Sequence, residues 1–121
     1  MRKRSLAAAI ALAVLPVPVA APAWAGPQCR QTIAAAAADN RTATQLVHDH
    51  REAEAADYNS RTIAAVQRAR SVCPEGTHPP LNIAIREAER AFALNSAGRT
   101  GALEPQSAVD YQLHRAQEAL G

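Results

Sequence analysis

The stretch from Leu46 to Glu52, LVHDHRE, holds the densest set of chemically capable side chains in the sequence. His48 and His50 carry imidazoles, which ligate transition metals or act as general bases. Carboxylates stand beside them at Asp49 and Glu52. In a helix, residues two positions apart point about 200° apart around the axis, so the two histidines of a helical segment cannot ligate one ion.

Helical spacing instead pairs His48 with Glu52 and His50 with Glu54, each four positions apart, on opposite faces. Either pair would need further ligands from elsewhere in the chain to complete a metal site. If the chain turns here, the two histidines and the aspartate between them converge. The simpler interpretation is that Val47 faces the core and the charged side chains face water.

A second candidate site stands near the end of the chain, where Tyr111 and His114 are three positions apart. A tyrosine and a histidine on one helix face can ligate haem iron. In the alternative, Tyr111 packs at the edge of the core and His114 is solvated. The remaining histidine, His78, stands in a proline-rich connector and is expected to be exposed. The chain has no phosphate loop, no HExxH, no GxSxG and no CxxC after residue 25, which favours a protein that is not an enzyme.

The beginning of the chain has the features of a secretory signal peptide, residues 1–25. Basic residues at positions 2–4 precede an apolar run from Leu6 to Ala20, and small residues at Ala23 and Ala25 fit a cleavage site after Ala25. A retained membrane anchor is the alternative, but the run is short for a span and contains Pro16. The sequence therefore predicts a secreted protein, periplasmic or extracellular, with one domain over residues 26–121.

Removal of this segment changes the charge of the protein. Without Arg2, Lys3 and Arg4, the 13 basic residues become 10 against 11 acidic residues, so the net charge changes from +2 to −1. A nucleic-acid partner needs a basic surface, and a membrane-bound helix needs a basic amphipathic face. Neither is present in the mature chain, so we expect a protein partner. Self-association is a further possibility because the core, rich in alanine, is thin.

Cys29 and Cys73 are the two cysteines of the chain. An even pair in an exported protein predicts a disulfide, which closes a loop of about 45 residues and stabilises by roughly 4 kcal/mol. Redox chemistry and thiolate metal ligation are the alternatives, although a redox pair is usually two residues apart.

The mature chain is rich in alanine, glutamate, glutamine and arginine and has no run of alternating polarity, so it predicts an all-α fold. We expect a small antiparallel bundle of about four helices. The first predicted segment runs from Gln28 to Ala56, with an interruption at Asp39-Asn40 and a restart capped by Thr42 and Gln45. The second follows a turn at 57–60 and ends at Val72. The third runs from Leu81 to Ser96 with Gly98 as its C-cap, and the last begins at a capping box formed by Ser107 and Asp110. The clearest apolar stripe contains Leu81, Ala84, Ile85, Ala88 and Phe92.

The predicted disulfide and the predicted turn disagree. After a turn at 57–60, a return helix of about 13 residues covers only about 20 Å and stops level with Gln45, far from Cys29. We therefore expect the Cys29 segment to fold back at Asp39-Asn40. The alternative is a hairpin turn near Arg51, inside the histidine cluster, where no helix-breaking residue stands.

Together these features predict an exported, disulfide-stapled helical protein that acts without catalysis through its surface, in protein interaction or in a structural role, and needs no cofactor. The alternative is a metal- or haem-binding envelope protein that uses His48 or His50, with His114 and Tyr111 as further candidates.

Overall fold

The computed structural model describes residues 25–121, whereas residues 1–24, which carry most of the predicted signal peptide, lie outside the described residues. A 3-10 turn, Glu75–Thr77, joins the second helix to the third. The four α-helices are α1 (Ala25–His48), α2 (Glu52–Val72), α3 (His78–Ser96) and α4 (Leu103–Glu118).

Each helix packs against its neighbour in the chain, and α1 also packs against α4, which closes a four-helix bundle. The connections at 49–51 and 97–102 are short, so consecutive helices run antiparallel. No strand occurs between residues 25 and 121. The all-α bundle with about four helices is confirmed. None of the described helices is long and apolar enough to cross a membrane.

Helix α1 is continuous, and the predicted interruption at Asp39-Asn40 is wrong. Asn40 is 2% exposed and bonds inside the bundle, so it does not end the helix. Thr42 does not cap a new helix, because its hydroxyl donates to the carbonyl of Ala38 within α1, at 3.2 Å.

The turn predicted at 57–60 is also wrong, because these residues lie inside α2. Asp57 and Ser60 are exposed, and Asn59 is fully buried among the helices. An asparagine in the interior of a helix costs little when tertiary hydrogen bonds satisfy its amide.

Cys29 and Cys73 form a disulfide that joins the beginning of α1 to the end of α2, with 4.9 Å between their Cα atoms. Helices of 24 and 21 residues span about 36 and about 32 Å, so a hairpin that turns at 49–51 brings both cysteines to its open end. The expected fold-back at Asp39-Asn40 is therefore wrong, and the hairpin turns inside the histidine cluster.

Small side chains dominate the core, as the composition predicted. The fully or almost fully buried alanines allow close helix approach, and the larger core residues form one cluster around Ile33, Val66, Leu81, Val109 and Leu113. In α3, Leu81, Ala84 and Ala88 of the predicted stripe are buried. Phe92, predicted at its end, is 40% exposed instead.

The ends of the last two helices follow local sequence only in part. Helix α3 begins at His78, three residues earlier than predicted, with prolines in its first turn, where a missing N–H costs nothing. Gly98 has φ 65° and follows the end of α3, which confirms the predicted cap. Helix α4 begins at Leu103, so the predicted capping box at Ser107 and Asp110 is wrong.

Candidate functional site

The histidine cluster forms the turn between α1 and α2. The N–H of His50 donates to the carbonyl of Val47 at 3.0 Å, and the N–H of Arg51 donates to that of Leu46 at 2.8 Å. This pair of bonds is a Schellman motif, in which the residue at C′ adopts a left-handed conformation. His50 occupies that position with φ 59°, and the other described residues with positive φ are glycines. The helix is therefore interrupted between His48 and Glu52, at residues 49–51.

Arg51 and Glu54 form a bidentate ion pair at the beginning of α2. The guanidinium donates to both carboxylate oxygens, at 2.5 Å from Nε and 2.6 Å from Nη2. The hydrogen bond and the negative charge of Glu54 raise the pKa of Arg51 above its usual value. Glu54 is thus paired with Arg51. Because His50 lies in the turn before α2, the predicted pairing of His50 with Glu54 on one helix does not exist.

The turn brings three of the predicted ligands to one place. His48, His50 and Glu52 line a pocket of about 380 Å³, which is also lined by Arg99 of the α3–α4 connection and by Leu103 at the beginning of α4. His48 and Glu52 belong to different helices, so they share this pocket through the turn and not through helical spacing. Over residues 25–121, no three or more histidine, cysteine, aspartate or glutamate side chains are grouped closely enough to hold a metal ion.

The candidates on α4 lie toward the other end of the bundle. His114 lines a smaller pocket of about 200 Å³ with Ile33 and Ala37, and its Nε2 is 3.4 Å from Oε2 of Glu118. Tyr111 is 59% exposed. Ala37 precedes His48 by eleven positions, about 16 Å along α1, so the structure does not bring His114 to the turn histidines.

His78, expected to be an exposed loop residue, is instead half-buried at the first position of α3. Its Nε2 lies 3.1 Å from the carbonyl oxygen of Cys73, beside the disulfide.

A groove runs between α1 and α4 and contains three adjoining pockets. Arg41 and Asp110 line both the pocket at His114 and a central pocket of about 350 Å³. Leu103 lines both the central pocket and the pocket at His48. We refer to this surface as the α1–α4 groove. Most of the predicted site residues lie along it, although sequence spacing did not place them there.

The floor of the central pocket belongs to a buried amide layer, to which each helix contributes one residue: Asn40, Asn59, Asn95 and Gln106. The Nδ2 groups of Asn59 and Asn95 both donate to Oε1 of Gln106, at 3.1 Å each. Nδ2 of Asn95 also donates to Oδ1 of Asn59 at 2.7 Å. These bonds connect α2, α3 and α4.

Two further bonds attach α1 to this layer. Nε2 of Gln106 donates to the hydroxyl of Thr44 at 3.0 Å, and Nδ2 of Asn40 donates to the main-chain carbonyl of Gln106 at 2.8 Å. Oδ1 of Asn40 and Oδ1 of Asn95 are buried and have no partner among the described residues. The layer therefore has acceptor capacity that the protein itself does not fill.

The amide layer was not predicted from the sequence. The available signal was the presence of polar amides at core positions of amphipathic helices, as at Asn95, four residues after the buried Ala91. Asn40 and Asn59 were interpreted as breakers because asparagine is common in turns.

Comparison of the chain with protein-family models, curated proteins and solved structures finds no match.

Proposed function

We propose that this protein is exported and acts without catalysis, by binding a partner protein through its surface. One observation carries the proposal: large apolar side chains are exposed in a chain that has few of them. Tyr111 is 59%, Phe92 40% and Leu103 37% exposed, and Phe92 is the chain's single phenylalanine. Aromatic side chains are enriched at protein interfaces, where they are buried on binding.

The interior supports the same interpretation. Alanines, the cluster of larger apolar residues around Ile33, Leu81 and Leu113, and the amide layer fill it, so the exposed aromatic residues are not needed to complete the core. The remaining described aromatic residue, Tyr58, is partly buried and lies under the guanidinium of Arg61, 4.4 Å from the ring centroid. Phe92 and Tyr111 are therefore the side chains that gain most from a partner.

Export is supported by the signal-like segment at 1–25 and by the Cys29–Cys73 disulfide, which persists in an oxidising compartment. Expression of the full chain in a Gram-negative host tests this part. We expect periplasmic or extracellular protein whose N-terminal residue is Gly26. Intact Met1 on cytoplasmic protein would overturn the export proposal.

Photocrosslinking tests the binding surface. A photoreactive residue is placed at position 92, 103 or 111 of the protein in its native host, with positions 60 and 67 on the exposed face of α2 as controls. We expect one discrete adduct at the test positions that is absent at the controls. An adduct of twice the mature mass identifies self-association as the binding event. Equal labelling at test and control positions contradicts a binding surface there.

Metal binding is a second candidate function, favoured by one observation: His48, His50 and Glu52 line the same pocket. His114 and Tyr111 remain the candidates for haem. Elemental analysis and an absorption spectrum of protein purified from iron- and zinc-supplemented cells test both. A metal bound in equimolar amount and lost in His48→Ala supports this function, whereas colourless, metal-free protein whose melting temperature neither ligand shifts contradicts it.

A further inference from the structure

The central pocket of the α1–α4 groove has the size of a small-ligand site. Its volume of about 350 Å³ is near the lower end of the roughly 300–1,000 Å³ typical of ligand pockets. One wall comes from α1 and the other from α4, and the apolar part of the lining includes Leu103. A ligand here would contact both helices and leave the exposed faces of α3 untouched.

The pocket carries one positive and one negative side chain on opposite walls. Arg41 stands on α1 and Asp110 stands on α4. Neither side chain has an oppositely charged group within 4.0 Å among residues 25–121, although other arginines of the bundle, such as Arg51 and Arg90, have carboxylate partners. Both charges are therefore available to a ligand.

Asn40 belongs to the wall that α1 contributes to the pocket. It is 2% exposed and belongs to the lining of the pocket. Its Nδ2 is committed to the carbonyl of Gln106, which fixes the orientation of the amide and leaves Oδ1 as the free end. Because Oδ1 is shielded from solvent, Asn40 shapes the wall of the pocket, and the polar contacts to a ligand are left to the two charged side chains.

We propose that the central pocket binds a small zwitterion that carries an ammonium and a carboxylate group, the chemistry of a free α-amino acid. The carboxylate accepts hydrogen bonds from the guanidinium of Arg41, whose planar fork fits two oxygens. The ammonium, with three donors, binds the carboxylate of Asp110. Leu103 contacts the apolar part of the ligand.

The charges of the pocket exclude simpler ligands. A monocarboxylate would leave Asp110 facing an anion. A monoamine would leave Arg41 facing a cation. Only a ligand with both charges satisfies both Arg41 and Asp110, so the pocket should discriminate against molecules that lack either one. This proposal does not rest on the proposed protein partner, although Leu103 belongs both to the pocket and to the exposed apolar side chains of the partner surface.

Titration of the mature, oxidised protein with three matched probes tests the proposal. Leucine carries both charges, 3-methylbutylamine lacks the carboxylate, and 4-methylpentanoate lacks the ammonium. Amide chemical shifts are followed by NMR up to about 10 mM ligand, a range that reaches millimolar affinity. We expect leucine to shift resonances around Asn40 and Gln106 and to bind at least about tenfold more tightly than either other probe.

Two charge-removing variants and a matched control complete the test. Arg41→Gln and Asp110→Asn are exposed substitutions, and each should weaken leucine binding at least about tenfold with the helical spectrum unchanged. Arg68→Gln removes an exposed arginine of α2 and should bind leucine as the parent does. The absence of shifts with all three probes, equal affinity for leucine and the amine, or an unchanged affinity in Arg41→Gln would each overturn the proposal.

Discussion

The side-chain amide of Gln106 donates from Nε2 to the hydroxyl of Thr44 at 3.0 Å, and this bond joins the last helix of the bundle to the first. The same amide accepts two hydrogen bonds at Oε1, from α2 and α3. Gln106 is fully buried, so water cannot replace any of these partners. One side chain thus connects the four helices, so its removal should destabilise the whole bundle.

Gln106→Leu should lower the free energy of unfolding by about 2–4 kcal/mol, because the variant leaves the buried amides of Asn59 and Asn95 without their common acceptor. Urea denaturation followed by circular dichroism measures the loss. Gln67→Ala, an exposed substitution on α2, is the control and should change stability by less than about 0.5 kcal/mol. Similar effects of the two variants would show that the amide layer does not contribute to stability.

His50→Gly should stabilise the protein by about 0.5 kcal/mol, since glycine has no Cβ to oppose the left-handed conformation at φ 59°. The reciprocal change, Gly98→Ala, places a Cβ at φ 65° and should destabilise by about 1 kcal/mol. No atom lies within 4 Å of the added Cβ, so backbone conformation alone produces that cost. A loss of stability in His50→Gly would show that the imidazole contributes to the turn.

Replacement of both cysteines, Cys29→Ala with Cys73→Ala, should lower the free energy of unfolding by roughly 4 kcal/mol for a disulfide with a sequence separation of 44. The denatured chain gains the freedom that the disulfide removes, while the native hairpin retains its other contacts. Thermal unfolding of oxidised, reduced and doubly substituted protein measures the effect. A melting temperature that does not change on reduction would contradict a stabilising disulfide.

Ala65→Leu should destabilise the protein by about 1–3 kcal/mol, because Ala65 is fully buried and a larger side chain must displace its neighbours. Ala64 is exposed on the adjacent position of the same helix, so Ala64→Leu is the matched control and should change stability by less than about 0.5 kcal/mol. Chemical denaturation of both variants gives the comparison. Tolerance of leucine at position 65 would indicate that α2 packs loosely.

Much of the fold was predictable because it depends on local composition. Strong helix formers predicted the all-α class, paired cysteines predicted the disulfide, and the glycine at position 98 predicted the end of α3. The position of the first hairpin turn was not predictable, because the tripeptide Asp49-His50-Arg51 contains neither glycine nor proline. Helical spacing paired His48 with Glu52, whereas the structure brings both side chains to one pocket through the turn between α1 and α2.

The sequence by itself determined that this chain forms amphipathic helices and carries one cysteine pair, because helix propensity and cysteine number are properties of short segments. Only the tertiary structure decided which polar residues end a helix and which lie inside one. Asparagine is common in turns, but the Nδ2 groups of Asn40 and Asn59 donate hydrogen bonds to Gln106 of another helix, which is distant in sequence. The turn at His50 forms for the same reason: the disulfide and the packing of α1 on α2 stabilise a backbone conformation that His50 disfavours.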